Sequence, residues 1–307
     1  MTEPVPPLAQ AAARHCLNER WDRLGHDLHD GLSGFALAMM SVGDRACDPE
    51  LSAAGMRAAE TVAAPYLAAS PEAGSHDAAG GSDGPVGLLR GASGKALLFI
   101  RMYERTGNPG YLDAAEGAIA ADLAQCVTNR HGALQVDDNG WRTLPYVGGG
   151  SAGIGMVIDQ FTAHRGKDAL ADAVRGIRLA ANYGLYAQAG LFNGRAGMIA
   201  CLASARDAGQ AGNDGGGEAA GRAISTHVDR LAWHAVPYGG GLAFPGDMLL
   251  RLSMDLGTGT AGVLLGTAAA LAPDRAVLPF FARPERLPAR ATGDSRRPLR
   301  EPMATKR

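Results

Sequence analysis

Cysteine is scarce and scattered in this sequence. Cys16, Cys47, Cys126 and Cys201 are the four in 307 residues, and they form no Cys-x-x-Cys pair and no Cys-His doublet. Such spacing fits neither a disulfide framework nor a structural zinc site, and it suits a reducing, cytoplasmic setting. Aromatic residues are few as well, at 6%. No apolar run approaches the about 18 residues of a membrane span, so no membrane partner is expected. The opening stretch, Met1 to Pro7, lacks the basic and apolar regions of a secretion signal. Net charge is only −2, which gives no electrostatic case for nucleic acid. The balance is uneven, because residues 282–307 carry eight basic and three acidic side chains, leaving about −7 on the remainder.

What the chain does have is apolar substance and glycine. Apolar residues make up 46%, enough for a sizeable core without a covalent or metal staple. Glycine occurs 43 times, about twice its ordinary share of about 7%. Much of it recurs in one pattern, a Gly-x-x-Gly pair running into an apolar stretch. The pairs are Gly31/Gly34, Gly91/Gly94, Gly150/Gly153, Gly194/Gly197 and Gly259/Gly262, with starts 44 to 65 residues apart. Each interval accommodates two helices and their loops. The apolar runs after the pairs, such as Ala96–Ile100, Met198–Leu202 and Gly262–Leu265, have no wet side and predict enclosed helices.

Between them lie amphipathic stretches. Leu112, Ala115, Ile119, Leu123 and Cys126 share one helical face, as do Val174, Ile177, Ala181 and Leu185, and Ile224, Val228 and Leu231. Inner and outer helices should therefore alternate. A glycine at the start of an inner helix lets backbones converge and permits positive φ in the entering loop. Two short hairpins interrupt the rhythm, Ala133–Leu144 around Asn139-Gly140, and Trp233–Phe244 around Pro237–Gly241. Ser70–Gly84 and Ala208–Gly221 have linker composition, and Pro284–Arg307 that of a disordered basic tail. The segment His26-Asp27-Leu28-His29-Asp30 at the first pair is the densest titratable cluster in the chain.

The five ordered motifs resemble the lanthionine synthetase C-like family. Leu144-Pro145-Tyr146 precedes the third pair, Phe244–Asp247 and Asp255 precede the fifth, and Ala276–Phe280 is similar to the family's usual ending. The nearest likeness is to the C-terminal cyclase domain of class III lanthipeptide synthetases. The resemblance implies an all-α fold, an α/α toroid of inner and outer helix pairs, over residues 1–281, with 282–307 a separate tail. The family has seven layers, so five motifs imply that one or two N-terminal layers are missing. No kinase signature is present, although the class III synthetases carry a kinase upstream.

The reaction implied is addition of a peptide cysteine thiol to a dehydroamino acid, giving lanthionine or labionin. A precursor peptide is then the partner, together with a kinase-lyase protein or a missing upstream domain. Zinc-dependent members hold the metal with two Cys and one His. Those positions fall here on Gly148, Phe192 and Asn193, so no zinc or other cofactor is expected. The family's catalytic histidine falls on Arg90 and its catalytic aspartate on Asp27. Without zinc, the thiol needs a base or a neighbouring cation. Asp27 or Asp30 could orient His29 as that acid–base group, with Arg90 supplying positive charge. His26, His29 and Asp30 could alternatively hold a metal, or simply solvate a helix entrance. Tyr146, Asn193 and Arg195 flank the glycine pairs and are candidate substrate contacts. Asp247, Arg251 and Asp255 have the spacing of an intrahelical ion-pair ladder. A non-catalytic toroid that binds a peptide or kinase is the alternative function. A glycoside-processing α/α barrel is a third, disfavoured by the shortage of aromatic residues.

Overall fold

The computed structural model describes residues 5–68, 84–166, 170–207, 216–272 and 278–281. His76, residues 276–277, most of the two linker-like stretches and the basic tail lie outside them. The described residues are mostly helical. Helix α1 (Pro7–Leu17) precedes α2 (Leu32–Ala46), α3 (Pro49–Ala68), α4 (Ala92–Thr106), α5 (Gly110–Leu123), α6 (Ser151–Arg165), α7 (Ala171–Ala181), α8 (Arg195–Asp207), α9 (Gly216–Leu231) and α10 (Thr260–Leu271). Helices α2, α4, α6, α8 and α10 pack in chain order, each against the next. Outside them α3 covers α2, α5 covers α4, α7 covers α6 and α9 covers α8. Every inner helix begins within one of the five glycine pairs.

Local chemistry sets the helix ends. Asp48 caps α3, accepting hydrogen bonds from the backbone N–H groups of Glu50 (3.2 Å) and Leu51 (3.4 Å). Gly107, at φ 72°, closes α4 in the left-handed conformation that glycine adopts without penalty. The core runs through the inner row, where Ala96, Leu97, Leu98, Phe99 and Ile100 of α4 are fully buried. Helix α10 departs from expectation. Its Gly262, Val263, Gly266 and Ala270 are buried, but Leu264 and Leu271 face outward and are exposed.

The glycine pairs explain the register. A methyl on any second glycine would collide with the carbonyl oxygen six residues earlier: Leu28 for Gly34, Leu88 for Gly94, Val147 for Gly153, Leu191 for Gly197 and Leu256 for Gly262. The same methyl would also press on the preceding layer. It would lie 2.7 Å from Leu28 Cβ at Gly94, 2.8 Å from Leu88 Cβ at Gly153, 2.9 Å from Val147 Cγ2 at Gly197 and 3.0 Å from Leu191 Cβ at Gly262. First glycines are also crowded, by the backbone four residues upstream. Close approach, not positive φ, is what selects glycine here. The capping glycines Gly31, Gly91, Gly150 and Gly259 have φ of −120°, −86°, −141° and −96°.

Folding back in this way aligns the loops ahead of the pairs. The N–H groups of Leu28 and His29 donate to Leu89 O (3.0 and 2.9 Å), Leu89 N–H to Gly148 O (2.9 Å), Gly148 N–H to Phe192 O (2.8 Å), and Phe192 N–H to Gly257 O (2.9 Å). A girdle of backbone hydrogen bonds thus joins all five loops in chain order.

Two small sheets decorate the helices. Strands β1 (Cys126–Thr128), β2 (Leu134–Asp138) and β3 (Arg142–Leu144) are antiparallel, with Asn139 and Gly140 at positive φ in the β2–β3 turn. Strands β4 (Val236–Tyr238) and β5 (Gly241–Ala243) form the second hairpin. Three expectations need correction. Cys126 belongs to β1, because α5 stops at Leu123. Leu185 lies beyond the end of α7 and is exposed. No ion-pair helix spans Asp247–Asp255, because Met248 and Leu249 are left-handed (φ 53° and 60°) and break it.

Three glycine-to-alanine changes separate sterics from conformation. Gly153→Ala should cost about 3 kcal/mol through overpacking at the carbonyl. Gly107→Ala, with nothing within 4 Å of the added methyl but φ of 72°, should cost about 1 kcal/mol. Gly221→Ala, on the open side of α9, should stabilise by about 0.5–1 kcal/mol. Urea unfolding midpoints would give this order, and equal effects at the three positions would refute it.

Candidate functional site

Seen from the glycine pairs, side chains one and two residues upstream project at the helix mouths. Two residues upstream stand His29, Leu89, Gly148, Phe192 and Gly257, the residues of the girdle. One upstream stand Asp30, Arg90, Gly149, Asn193 and Thr258. A cleft of about 320 Å³ opens among them, lined by His29, Leu89, Arg90, Gly148, Gly149, Phe192 and Asn193, with Pro85, Val86, Leu144 and Tyr146 completing the wall. His29, Arg90, Tyr146 and Asn193, four of the residues singled out from the sequence, therefore share one cleft.

The polar side of this cleft is built by its neighbours. Arg90 makes a two-pronged pair with Asp30, through Nη1 at 3.3 Å and Nη2 at 2.9 Å. Desolvation pushes the Asp30 carboxyl up, but its bonds to Arg90 outweigh that and hold it below the ordinary carboxylate range. Asp27 does not reach an imidazole. Its Oδ1 accepts the backbone N–H groups of His29 and Asp30, both at 2.9 Å, and so shapes the turn that presents them. Ser33 Oγ donates to His26 O at 2.6 Å and ties the same turn to α2.

The second loop has a different support. Asp122, buried on α5, accepts from Gly87 N–H (3.1 Å), Ala92 N–H (3.1 Å) and Ser93 N–H (2.8 Å). An outer-helix carboxylate thereby caps the inner helix α4, satisfying donors that a helix start leaves unpaired. Burial nonetheless raises its pKa, because those hydrogen bonds offset only part of the desolvation.

Arg195 requires a correction. It is 0% exposed and does not face the cleft. Its Nη1 donates to Gly184 O (3.1 Å) and meets His227 Nδ1 (3.2 Å), while its guanidinium lies over Trp233 at 5.5 Å. Its work is structural, tying the loop before α8 to α9. His227 Nε2 lies 2.9 Å from Ala181 O, so the ring donates there and accepts from Arg195, which defines a neutral tautomer. Burial pushes its pKa down; the hydrogen bond to Ala181 O pulls it back in part, and the charges of Arg195 and Arg230 add to the lowering.

Gly148, Phe192 and Asn193 all line the cleft, so the positions where the resemblance places zinc ligands coincide with it. None offers a thiolate or imidazole. Among the described residues no cluster of three or more His, Cys, Asp or Glu could hold a metal ion. The sequence motifs did not reveal Leu89 or Asp122, and they marked the 247–255 segment only as a helical ion-pair ladder. The only available signal was an apolar residue (Leu28, Leu88, Val147, Leu191, Leu256) three places before every pair. In that last segment Asp255 accepts from Ser253 Oγ at 2.5 Å and Thr258 N–H at 2.6 Å, and these bonds outweigh desolvation to bring its pKa to about 2.

No protein-family model matches the sequence. It is 43% identical over 286 residues to the probable SapB synthase of Streptomyces coelicolor. The match covers 93% of this chain and 29% of that protein, so the chain spans less than a third of its curated relative. No helix of the described residues is long and apolar enough to cross a membrane.

Buried, neutral histidines make stability depend on pH. The folded-state pKa of His227 is depressed below the ordinary 6.5, so its contribution is present above pH 6.5 and lost as pH falls below it. Burial and Arg195 act on His234 in the same direction. Urea unfolding should therefore give lower stability at pH 5.5 than at 7.5, and His227→Gln, which can keep both hydrogen bonds, should flatten that slope. A pH-independent wild type would contradict this account.

Proposed function

We propose that this chain is a peptide cyclase similar to the lanthionine synthetase C-like proteins. Residues 1–281 would form its cyclase domain, an α/α toroid of which α2 to α10 are an arc, and 282–307 a tail. The name of its relative, a probable SapB synthase, supports a role in making a modified peptide. The observation that carries the proposal is positional. His29 and Arg90, together with the three residues at the family's metal-ligand positions, surround one cleft. A kinase-lyase protein, joined or separate, would supply the dehydrated precursor in the cytoplasm.

Gly148, Phe192 and Asn193 do not fit a zinc ion, so the chemistry is assigned to side chains. The peptide thiol gives its proton to His29, and the thiolate sits beside the Arg90 guanidinium. Sulfur bonds to the β-carbon of the dehydroamino acid as the C=C pair moves onto the α-carbon and its carbonyl. The proton returned by His29 to the α-carbon completes a net addition without oxidant or leaving group. Asp27 holds the His29–Asp30 turn, Asp30 aims Arg90, and Tyr146 and Asn193 contact the peptide.

A second reading, a peptide-binding module without chemistry, draws on one observation. Arg90 is already paired with Asp30, so a thiolate must compete for its charge.

Thiol alkylation and mass spectrometry of a dehydrated precursor would test the cyclase. His29→Ala should slow thioether formation about 10²-fold. Arg90→Ala should slow it while leaving peptide binding intact, and Arg90→Lys, which lacks the fork that Asp30 grips, should restore it only in part. Wild type no faster than spontaneous cyclisation, with a kinase-lyase present, would leave the binding module.

A further inference from the structure

The loop 247–254 is tied to the cleft residue Asn193 and carries apolar side chains that the described residues leave exposed. Asn193, a cleft residue, places Nδ2 3.4 Å from Asp247 Oδ1, and Met248 N–H donates to Gln188 Oε1 at 3.2 Å. Gly246 N–H donates to Arg251 O at 2.8 Å and closes the loop on itself. Between these anchors Met248 and Leu249 hold left-handed backbone, a conformation that costs a non-glycine residue about 1–2 kcal/mol. The loop turns its apolar side chains outward: Met248 is 68% exposed, Leu250 84% and Met254 70%. Farther along the same segment, Gly257 packs at the Phe192 ring, with room for a Cβ only 3.1 Å from Cδ2. The loop that carries these apolar side chains is thus joined to the cleft at two points, Asp247 to Asn193 and Gly257 to Phe192.

We infer that this strip is where the substrate peptide leaves the cleft, and that it selects apolar residues on one side of the reacting cysteine or dehydroamino acid. The inference rests on the proposal that a peptide occupies the cleft. About 320 Å³ is at the small end of ligand pockets, so a peptide chain must run out over the rim. One rim is charged, formed by Asp30 and Arg90. On the other side lies the loop tied to Asn193, which exposes Met248, Leu250 and Met254 with the charged Arg251 among them. An extended apolar segment gains by covering this loop's apolar side chains, and a polar one does not.

Fluorescence anisotropy can test this with short labelled peptides that cannot react, carrying alanine for the dehydroamino acid and S-methylcysteine. One peptide places two leucines beside the reacting pair, the other two glutamines. Wild type should bind the leucine peptide about tenfold more tightly. Met248→Gln combined with Leu250→Gln should abolish that preference without weakening the glutamine peptide, and Leu250→Gln alone should reduce it. Both positions are exposed, and circular dichroism checks that the variants fold. Equal binding of the two peptides by wild type would overturn the inference, as would a preference that survives the double variant. A wild-type dimer by sedimentation that the double variant dissociates would also overturn it, since a second copy would then cover the strip. If the preference holds but no cyclisation exceeds background, the catalytic proposal fails and the docking strip stands.

Discussion

Gly34 is closed in by its own loop, and Gly94, Gly153, Gly197 and Gly262 are each caught between their own loop and the layer before. The carbonyl six residues upstream closes one side, and from the second pair onward an apolar residue of the preceding layer closes the other. No side chain fits, so the entering loop folds over the first turn of its helix in the same way five times. Once that fold-back is imposed, the residue two before each of the first four pairs is placed to donate its N–H to the next loop, and the girdle follows. The tightest part of the constraint is backbone, the carbonyl six residues upstream. It fixes where side chains one and two residues before each pair will point and leaves their identity open; in the third and fourth loops they are glycine, phenylalanine and asparagine.

Charges in this structure are handled in three physically different ways. Asp122 is buried and satisfied by three backbone donors, so it acts as a fixed acceptor for a helix start. Arg195 is buried against a carbonyl and a histidine nitrogen, and two rings share its faces, an arrangement suited to a weakly hydrated guanidinium. Asp30 and Arg90 remain largely in solvent, where water and salt screen such a pair and leave it little to contribute to stability. Stability therefore does not explain their two-pronged geometry. What the pair does is aim a cation into the cleft.

The alternation of inner and outer helices was legible because glycine spacing and apolar periodicity are local signals. Both hairpins were legible for the same reason, through Asn139-Gly140 and the Gly239–Gly241 run. The gathering of His29, Arg90, Tyr146 and Asn193 followed from their places beside glycine pairs. Arg195 has the same kind of place and was misread, since one residue after a first glycine starts the helix and points into the core. Asp122 was invisible because it caps a loop some thirty residues upstream, and no local pattern marks a tertiary cap. The 247–255 segment misled because its charged spacing is helical while its backbone is not, and left-handed Met248 and Leu249 have no propensity signature.

On the proposed chemistry, the absence of metal ligands at Gly148, Phe192 and Asn193 removes less than it suggests. A peptide thiol has a pKa near 8.5, so about 3% is thiolate at pH 7, and full ionisation by a metal would gain at most about thirtyfold. Part of that gain is returned, since nucleophilicity falls with thiol pKa. Holding sulfur and the acceptor carbon together is worth far more, with effective molarities of about 10⁵–10⁸ M in well-oriented systems. Orientation comes from walls, and the walls here are Leu89, Tyr146 and Phe192, set by the girdle and the glycines behind it. On that proposal the shape of the cleft would supply most of the catalysis, while His29 would carry a proton and Arg90 would steady a charge that exists only briefly.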